Sequence, residues 1–216
     1  MDVLGDLVDV TTLAVALIGV GGTLSGTLGG AVLSQRASRE QNQRVDRQRT
    51  EDRQHQAQQA KRELYARLNT TARAYRVAAR DAVRAAERSE DVEPAILDAA
   101  KEAWSEEYSQ AQMALPQDVL ETASTLNRAL GVGYSVVKQL PSSPDLDEAY
   151  SRAKAWFSGP LSDGVYLLRV TLRYDLGVEV EPGFERTRIQ MHAALDSERR
   201  NLERLLSPEA QASRPA

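Results

Sequence analysis

Residues 13–44 read LAVALIGVGGTLSGTLGGAVLSQRASREQNQR and divide sharply into an apolar half and a polar half. Residues 13–33 are 21 amino acids without a charge, and six of them are glycine. A helix of that length spans about 30 Å, the thickness of the hydrocarbon core of a bilayer. Glycine weakens a helix in water, whereas lipid enforces the helix because unpaired backbone groups cost more there. The stretch therefore predicts a transmembrane helix.

Other interpretations of the glycines fail on the residues themselves. A phosphate-binding P-loop needs a lysine after its last glycine, but Gly26 is followed by Thr27 and no lysine precedes Lys61. The dinucleotide-binding fingerprint lacks its third glycine, because Leu24 stands at that position. A cleaved signal peptide begins with basic residues, and residues 1–12 contain none. A membrane anchor is the interpretation that the residues support.

The charges that flank the span predict its direction. Residues 1–12 carry three acids and no base, whereas residues 34–53 carry six arginines. Positive residues stay on the cytoplasmic side of a membrane. We therefore expect a single-pass protein of the cell membrane, with a short extracytoplasmic N-terminus and a cytoplasmic C-terminus. The arginines expected to contact anionic lipid are Arg36, Arg39, Arg44 and Arg47.

Small residues recur at intervals of four along the predicted span. Gly22, Gly26, Gly30 and Ser34 form this series, and residues four apart lie on one face of a helix. A face of small residues lets a second helix approach closely, so the series predicts helix–helix association and a homo-oligomer. The alternative is that small residues are simply common in membrane helices.

The rest of the chain predicts an all-α protein. The composition is rich in good helix formers, and neither proline nor glycine occurs between Ala31 and Glu93. Residues 34–60 are almost wholly polar and read as a helical stalk, with a disordered linker as the alternative. Residues 61–206 predict a cytoplasmic helical bundle, and residues 207–216 a disordered tail.

Within the bundle, local signals predict where helices begin and end. One apolar helix face is predicted by residues that alternate spacings of four and three: Leu64, Leu68, Thr71, Tyr75, Ala78, Ala82 and Ala85. Packing inside this chain is favoured over pairing with another chain, because more amphipathic segments follow. Pro94 and Pro116 each suit the start of a helix, and Ser143 is a candidate N-cap. Gly131 and Gly133 are expected to kink or end the third helix. Further predictions are a break at Gly159-Pro160, helices over residues 161–176 and 184–206, and apolar faces that include Ile96, Trp104, Ile189, Leu195, Leu202 and Leu205.

Motifs that carry chemistry are missing from the sequence. The chain has two histidines and no cysteine, so thiol chemistry is excluded and the usual metal-ligand spacings do not occur. The nucleophile elbow GxSxG does not occur either. His192 is expected to be a surface or packing residue of the last helix. We therefore expect no catalytic residue, no cofactor site and no metal site.

Charge is distributed unevenly along the chain and leaves three functions open. Residues 34–90 carry a net charge of +6 and residues 91–216 one of −7. The leading hypothesis is a non-enzymatic membrane-anchored scaffold that binds lipid, a second copy of itself and a cytoplasmic protein. A second is a DNA-binding accessory factor that uses the basic residues 36–88, although the basic excess is modest and no aromatic residue interrupts the arginines of residues 34–60. The third is a helical enzyme with a pocket that no sequence motif indicates.

A resemblance adds to this reading. The segments LIGVGGTLSGTLGGAVLSQR, residues 17–36, and KRELYARLNTTARAYRVAARDA, residues 61–82, resemble small membrane proteins of filamentous actinobacteria of the KilB-like, plasmid-spread type. The resemblance concerns composition and layout over residues 13–86. It implies membrane association and an accessory role in conjugative DNA transfer, and it provides no site residues.

Overall fold

The computed structural model describes residues 6–90, 94–178 and 182–206, and within the first helix it describes the side chains of Gln41 and of residues 44–87. All regular structure in these ranges is helical, which confirms the all-α class. The α-helices are α1 (Asp6–Glu87), α2 (Pro94–Ala114), α3 (Gln117–Gln139), α4 (Leu146–Ser158), α5 (Pro160–Asp175) and α6 (Phe184–Leu206), with a 3₁₀ turn at Leu140–Ser142 between α3 and α4.

The chain divides into two compact units, Met1–Gln58 and Gln59–Ala216. In the first unit α1 is a single exposed helix over residues 44–58, as expected for a polar sequence with good helix propensity. In the second unit the same helix contributes a buried face to the core. Leu64, Leu68 and Tyr75 are buried as predicted, and the neighbouring positions Tyr65, Ala72, Ala79 and Val83 widen that face.

The Gln59–Ala216 unit is an up-and-down bundle of helices. Helix α2 runs antiparallel to α3, because Tyr134 of α3 bonds to Asp98 near the start of α2 and Asn127 bonds to Trp104 further along. Helix α6 runs parallel to α3, since Arg188 and His192 contact the carbonyl oxygens of Asp118 and Glu121 in the same order. Short connections between consecutive helices produce this arrangement.

Helices α4 and α5 together form one antiparallel partner of α1. Tyr150 of α4 donates to the carbonyl oxygen of Ala86, and Arg76 donates to that of Phe157. At the end of α5, Asp175 bonds to Tyr65 of α1. The break between α4 and α5 falls at Gly159, followed by proline as the first residue of α5, and this confirms the predicted break.

Several local predictions are corrected. The buried face of α2 contains Leu97, whereas Ile96 is 59% exposed. Asp145, and not Ser143, is the N-cap of α4, because its carboxylate accepts a hydrogen bond of 3.0 Å from the Glu148 backbone N–H. Helix α3 runs unbroken through Gly131 and Gly133. In α6, Leu195 and Leu202 are buried, but Ile189 and Leu205 are exposed.

The backbone of α1 is helical throughout the predicted span, residues 13–33. Among the residues that the structure describes, no helix has both the length and the apolar character that a membrane crossing requires. The side chains of residues 13–33 lie outside the described ones. The transmembrane helix therefore stays a prediction from the sequence, without support from this finding.

Candidate functional site

The predicted association and lipid-contact residues fall mostly outside the described side chains. Only two of them, Arg44 and Arg47, are described, and both are exposed on α1. Nothing in the structure therefore tests the predicted contacts of this set. The residues whose side chains lie outside the description are Gly22, Gly26, Gly30, Ser34, Arg36 and Arg39.

A pocket of about 390 Å³ lies at the end of the bundle where α1 terminates. Helices α1, α2, α3 and α4 line it. Ala82 and Ala86 lie about one turn apart on α1, and their small side chains leave the gap between the helices unfilled. Among the described residues that line this pocket, Lys138 is the one that carries a charge. The apolar lining includes Ala82, Ala86, Leu97, Val137, Leu140 and Leu146.

A polar cluster joins α2 to α3 at the rim of this pocket. The Lys138 Nζ atom lies 3.1 Å from Asp98 Oδ1, and the Tyr134 hydroxyl donates to the same oxygen at 2.8 Å. The Lys101 Nζ atom lies 4.0 Å from the centre of the Tyr134 ring, within cation–π range. The hydrogen bonds from Tyr134 and Lys138 hold the pKa of Asp98 below its usual value. The cluster holds two ammonium groups and one carboxylate, so its net charge is positive.

A second polar cluster lies at the opposite end of the bundle. The Tyr65 hydroxyl donates to Asp175, and the Lys61 Nζ atom lies 2.5 Å from the same carboxylate oxygen. Burial and the bond to Asp175 raise the pKa of the Tyr65 hydroxyl. The Asp175 carboxylate thus has partners of both kinds, a hydroxyl and an ammonium, and the cluster fastens α5 to α1.

A row of arginines follows one flank of α1 within the bundle. Arg62, Arg73, Arg80 and Arg84 recur at spacings that place them on one helix face. Arg76 lies beside this row and donates to the Phe157 carbonyl oxygen at 3.1 Å. Burial, together with the positive charges of Arg80 and Arg73, lowers the pKa of Arg76. The row is about 33 Å long, at 1.5 Å per residue over 22 residues. Asp81 pairs with two of its members, because its Oδ1 atom lies 3.0 Å from Arg80 and 3.9 Å from Arg84.

The described residues include no group of three or more histidine, cysteine, aspartate or glutamate side chains that could hold a metal ion. His55 is exposed. The His192 Nε2 atom lies 3.1 Å from the Glu121 carbonyl oxygen, which places this residue in the packing of α6 against α3. That position agrees with its predicted structural role.

Sequence reasoning missed the pocket, its polar rim and one buried charge. Arg188 is only 7% exposed, and its guanidinium contacts Glu185 at 2.6 Å and Glu121 at 3.6 Å. The (i, i+3) spacing of Glu185 and Arg188 was a usable signal for the first contact. The rim cluster had no such signal, because Asp98 and Lys138 lie 40 residues apart in the chain.

Comparison with protein-family models, with curated proteins and with solved structures finds no match to this chain.

Proposed function

We propose that the protein is a non-enzymatic, single-pass membrane-anchored scaffold whose cytoplasmic bundle binds a partner protein. The observation that carries this proposal is the continuity of α1 from Asp6 to Glu87. One helix contains the uncharged residues 13–33 and also supplies Leu64 and Leu68 to the bundle core. An anchor in the same helix as these core residues suits a tethered adaptor.

Membrane fractionation of the full chain tests the anchor. We expect the protein to remain in the membrane after carbonate extraction, with its C-terminus protected from protease in intact cells. Val20→Arg combined with Leu24→Arg should release it, because each arginine near the centre of the span costs about 2.5–3.5 kcal/mol. Gln54→Arg combined with Gln56→Arg is the matched control and should stay in the membrane. Wild-type protein in the soluble fraction would refute the proposal.

Oligomer formation through the glycine series has its own test. Gly26→Leu places a large side chain on the face of Gly22 and Gly30, whereas Gly21→Leu adds the same side chain about 100° away from Gly22. We expect Gly26→Leu to reduce the oligomer mass in detergent and Gly21→Leu to preserve it. An unchanged mass for Gly26→Leu would contradict association through this face.

The arginine row favours a second candidate, a DNA-binding accessory factor. This function agrees with the role in conjugative DNA transfer that the resemblance implies. It predicts that DNA affinity of the full chain falls steeply with salt, and that Arg62→Gln with Arg73→Gln lowers the salt slope by about two. Arg186→Gln with Arg200→Gln on α6 is the control. Affinity that is indifferent to the α1 variants would exclude the row as the DNA site.

A further inference from the structure

We propose that the pocket at the Glu87 end of the bundle binds a single-chain aliphatic anion, with the chain among the apolar side chains and the anionic group on Lys138. All residues of this site belong to the Gln59–Ala216 unit. The proposal therefore does not depend on the membrane anchor, and either one can fail without the other.

The size and lining of the pocket select an aliphatic chain. Its volume of about 390 Å³ falls within the range of about 300–1,000 Å³ that is usual for small-molecule sites. The Tyr150 hydroxyl is already bonded to the Ala86 carbonyl oxygen at 3.1 Å, so this residue offers the ligand its ring and no free donor. This described lining fits a hydrocarbon chain and offers no hydrogen-bond partner to a polar group buried in the pocket.

The rim supplies a site for one negative charge. Lys138 is paired with Asp98, and the two side chains are 40% and 48% exposed. An ion pair this exposed is weak, so the ammonium can exchange Asp98 for an anionic ligand group at little cost. Lys101 shares the Tyr134 ring with Lys138 and adds a second positive charge nearby. An anion at the rim would therefore balance the excess charge of the cluster.

The shape of the site favours a small amphiphile over a partner helix. A docked amphipathic helix needs a groove that takes anchors from several of its turns. This pocket is instead confined to one end of the bundle, between the close of α1 and the start of α4. Leu146, which lines the pocket, is 45% exposed and so lies at its mouth.

Photolabelling of the full chain with a diazirine derivative of dodecanoic acid tests the site, in nanodiscs if the protein stays in the membrane fraction and in buffer if it is soluble. We expect the label on peptides that contain residues 82–97 and 137–150, located by mass spectrometry. Unlabelled dodecanoate should compete at least about tenfold better than dodecylamine, because only the carboxylate pairs with the lysines. Ala86→Phe fills the pocket and should remove most of the label.

Two lysines provide the matched control for the charge. Lys138→Gln should weaken competition by dodecanoate at least about twofold. Lys154→Gln on α4, which removes the ion pair with Glu87 of α1, should leave it unchanged. No label on the peptides that contain residues 82–97 and 137–150, or undiminished label on them in Ala86→Phe, would overturn the site. Equal competition by dodecylamine would overturn the anionic group. The competition experiment uses wild-type protein, so it decides the matter even if a variant misfolds.

Discussion

Two glycines of α3 give a direct test of how tightly the bundle is packed. Gly131 and Gly133 both lie inside this helix, two residues apart. A Cβ atom on Gly131 would meet no atom within 4 Å. A Cβ atom on Gly133 would lie 3.0 Å from Cε1 of Phe157 and 3.2 Å from Nε1 of Trp156, and both of these rings are buried.

The two alanine variants share one energy term and differ in another. Replacing glycine by alanine inside a helix stabilises it by about 0.5–1 kcal/mol, and Gly131→Ala should show this gain. Gly133→Ala has the same gain but also overpacks the site, which costs about 1–3 kcal/mol. The difference in unfolding free energy between the variants should therefore be about 1–3 kcal/mol. For a chain of this size that corresponds to roughly 2–12 °C in Tm.

Tryptophan fluorescence during thermal or urea unfolding measures this difference in the bundle alone. The chain has two tryptophans, Trp104 and Trp156, and both are buried in the Gln59–Ala216 unit. Gly133→Ala should also change the native emission, because Trp156 must move. Equal stability of Gly131→Ala and Gly133→Ala, with unchanged emission, would refute the close packing of α4 against α3.

Three further predictions concern polar groups in the core. Tyr65 and Tyr75 are 3% and 2% exposed, but only the Tyr65 hydroxyl has a described partner, Asp175. Tyr65→Phe should therefore destabilise the bundle by about 1–2 kcal/mol, whereas Tyr75→Phe should be neutral or stabilising in urea unfolding; equal losses would contradict this. Burial raises the pKa of both hydroxyls, so the folded state holds these protons more tightly than the unfolded state. In unfolding measured from pH 8 to 11, the contribution of these protonated hydroxyls to the free energy of unfolding should be fully present below a pH of about 10 and fall above it. The fall should be less steep in the two phenylalanine variants. Arg188→Ala should cost about 1–2 kcal/mol through lost packing and hydrogen bonds, whereas the exposed Arg186→Ala should change the unfolding midpoint little.

Helix boundaries were the part of the fold most open to prediction. Pro94 begins α2, proline follows Gly159 at the start of α5, and α6 spans the predicted residues 184–206. These signals are local, because proline fixes its own backbone angle and lacks an N–H wherever it stands. The N-cap of α4 was assigned to the wrong residue, since both Ser143 and Asp145 can accept the capping bond and only the path of the chain selects between them.

By itself the sequence determined the helical class, the breaks between helices, and an uncharged segment followed by arginines. The tertiary structure alone decided which side chains meet. Ile96 and Leu97 are equally apolar neighbours, but a rotation of about 100° per residue buries the second and exposes the first. Likewise, the Lys138–Asp98 pair exists only because α2 packs against α3, and the pocket beside it exists only because α1, α2, α3 and α4 meet at one end of the bundle. Local periodicity predicted the burial of Leu64, Leu68 and Tyr75, but it carries no information about which distant residues they meet.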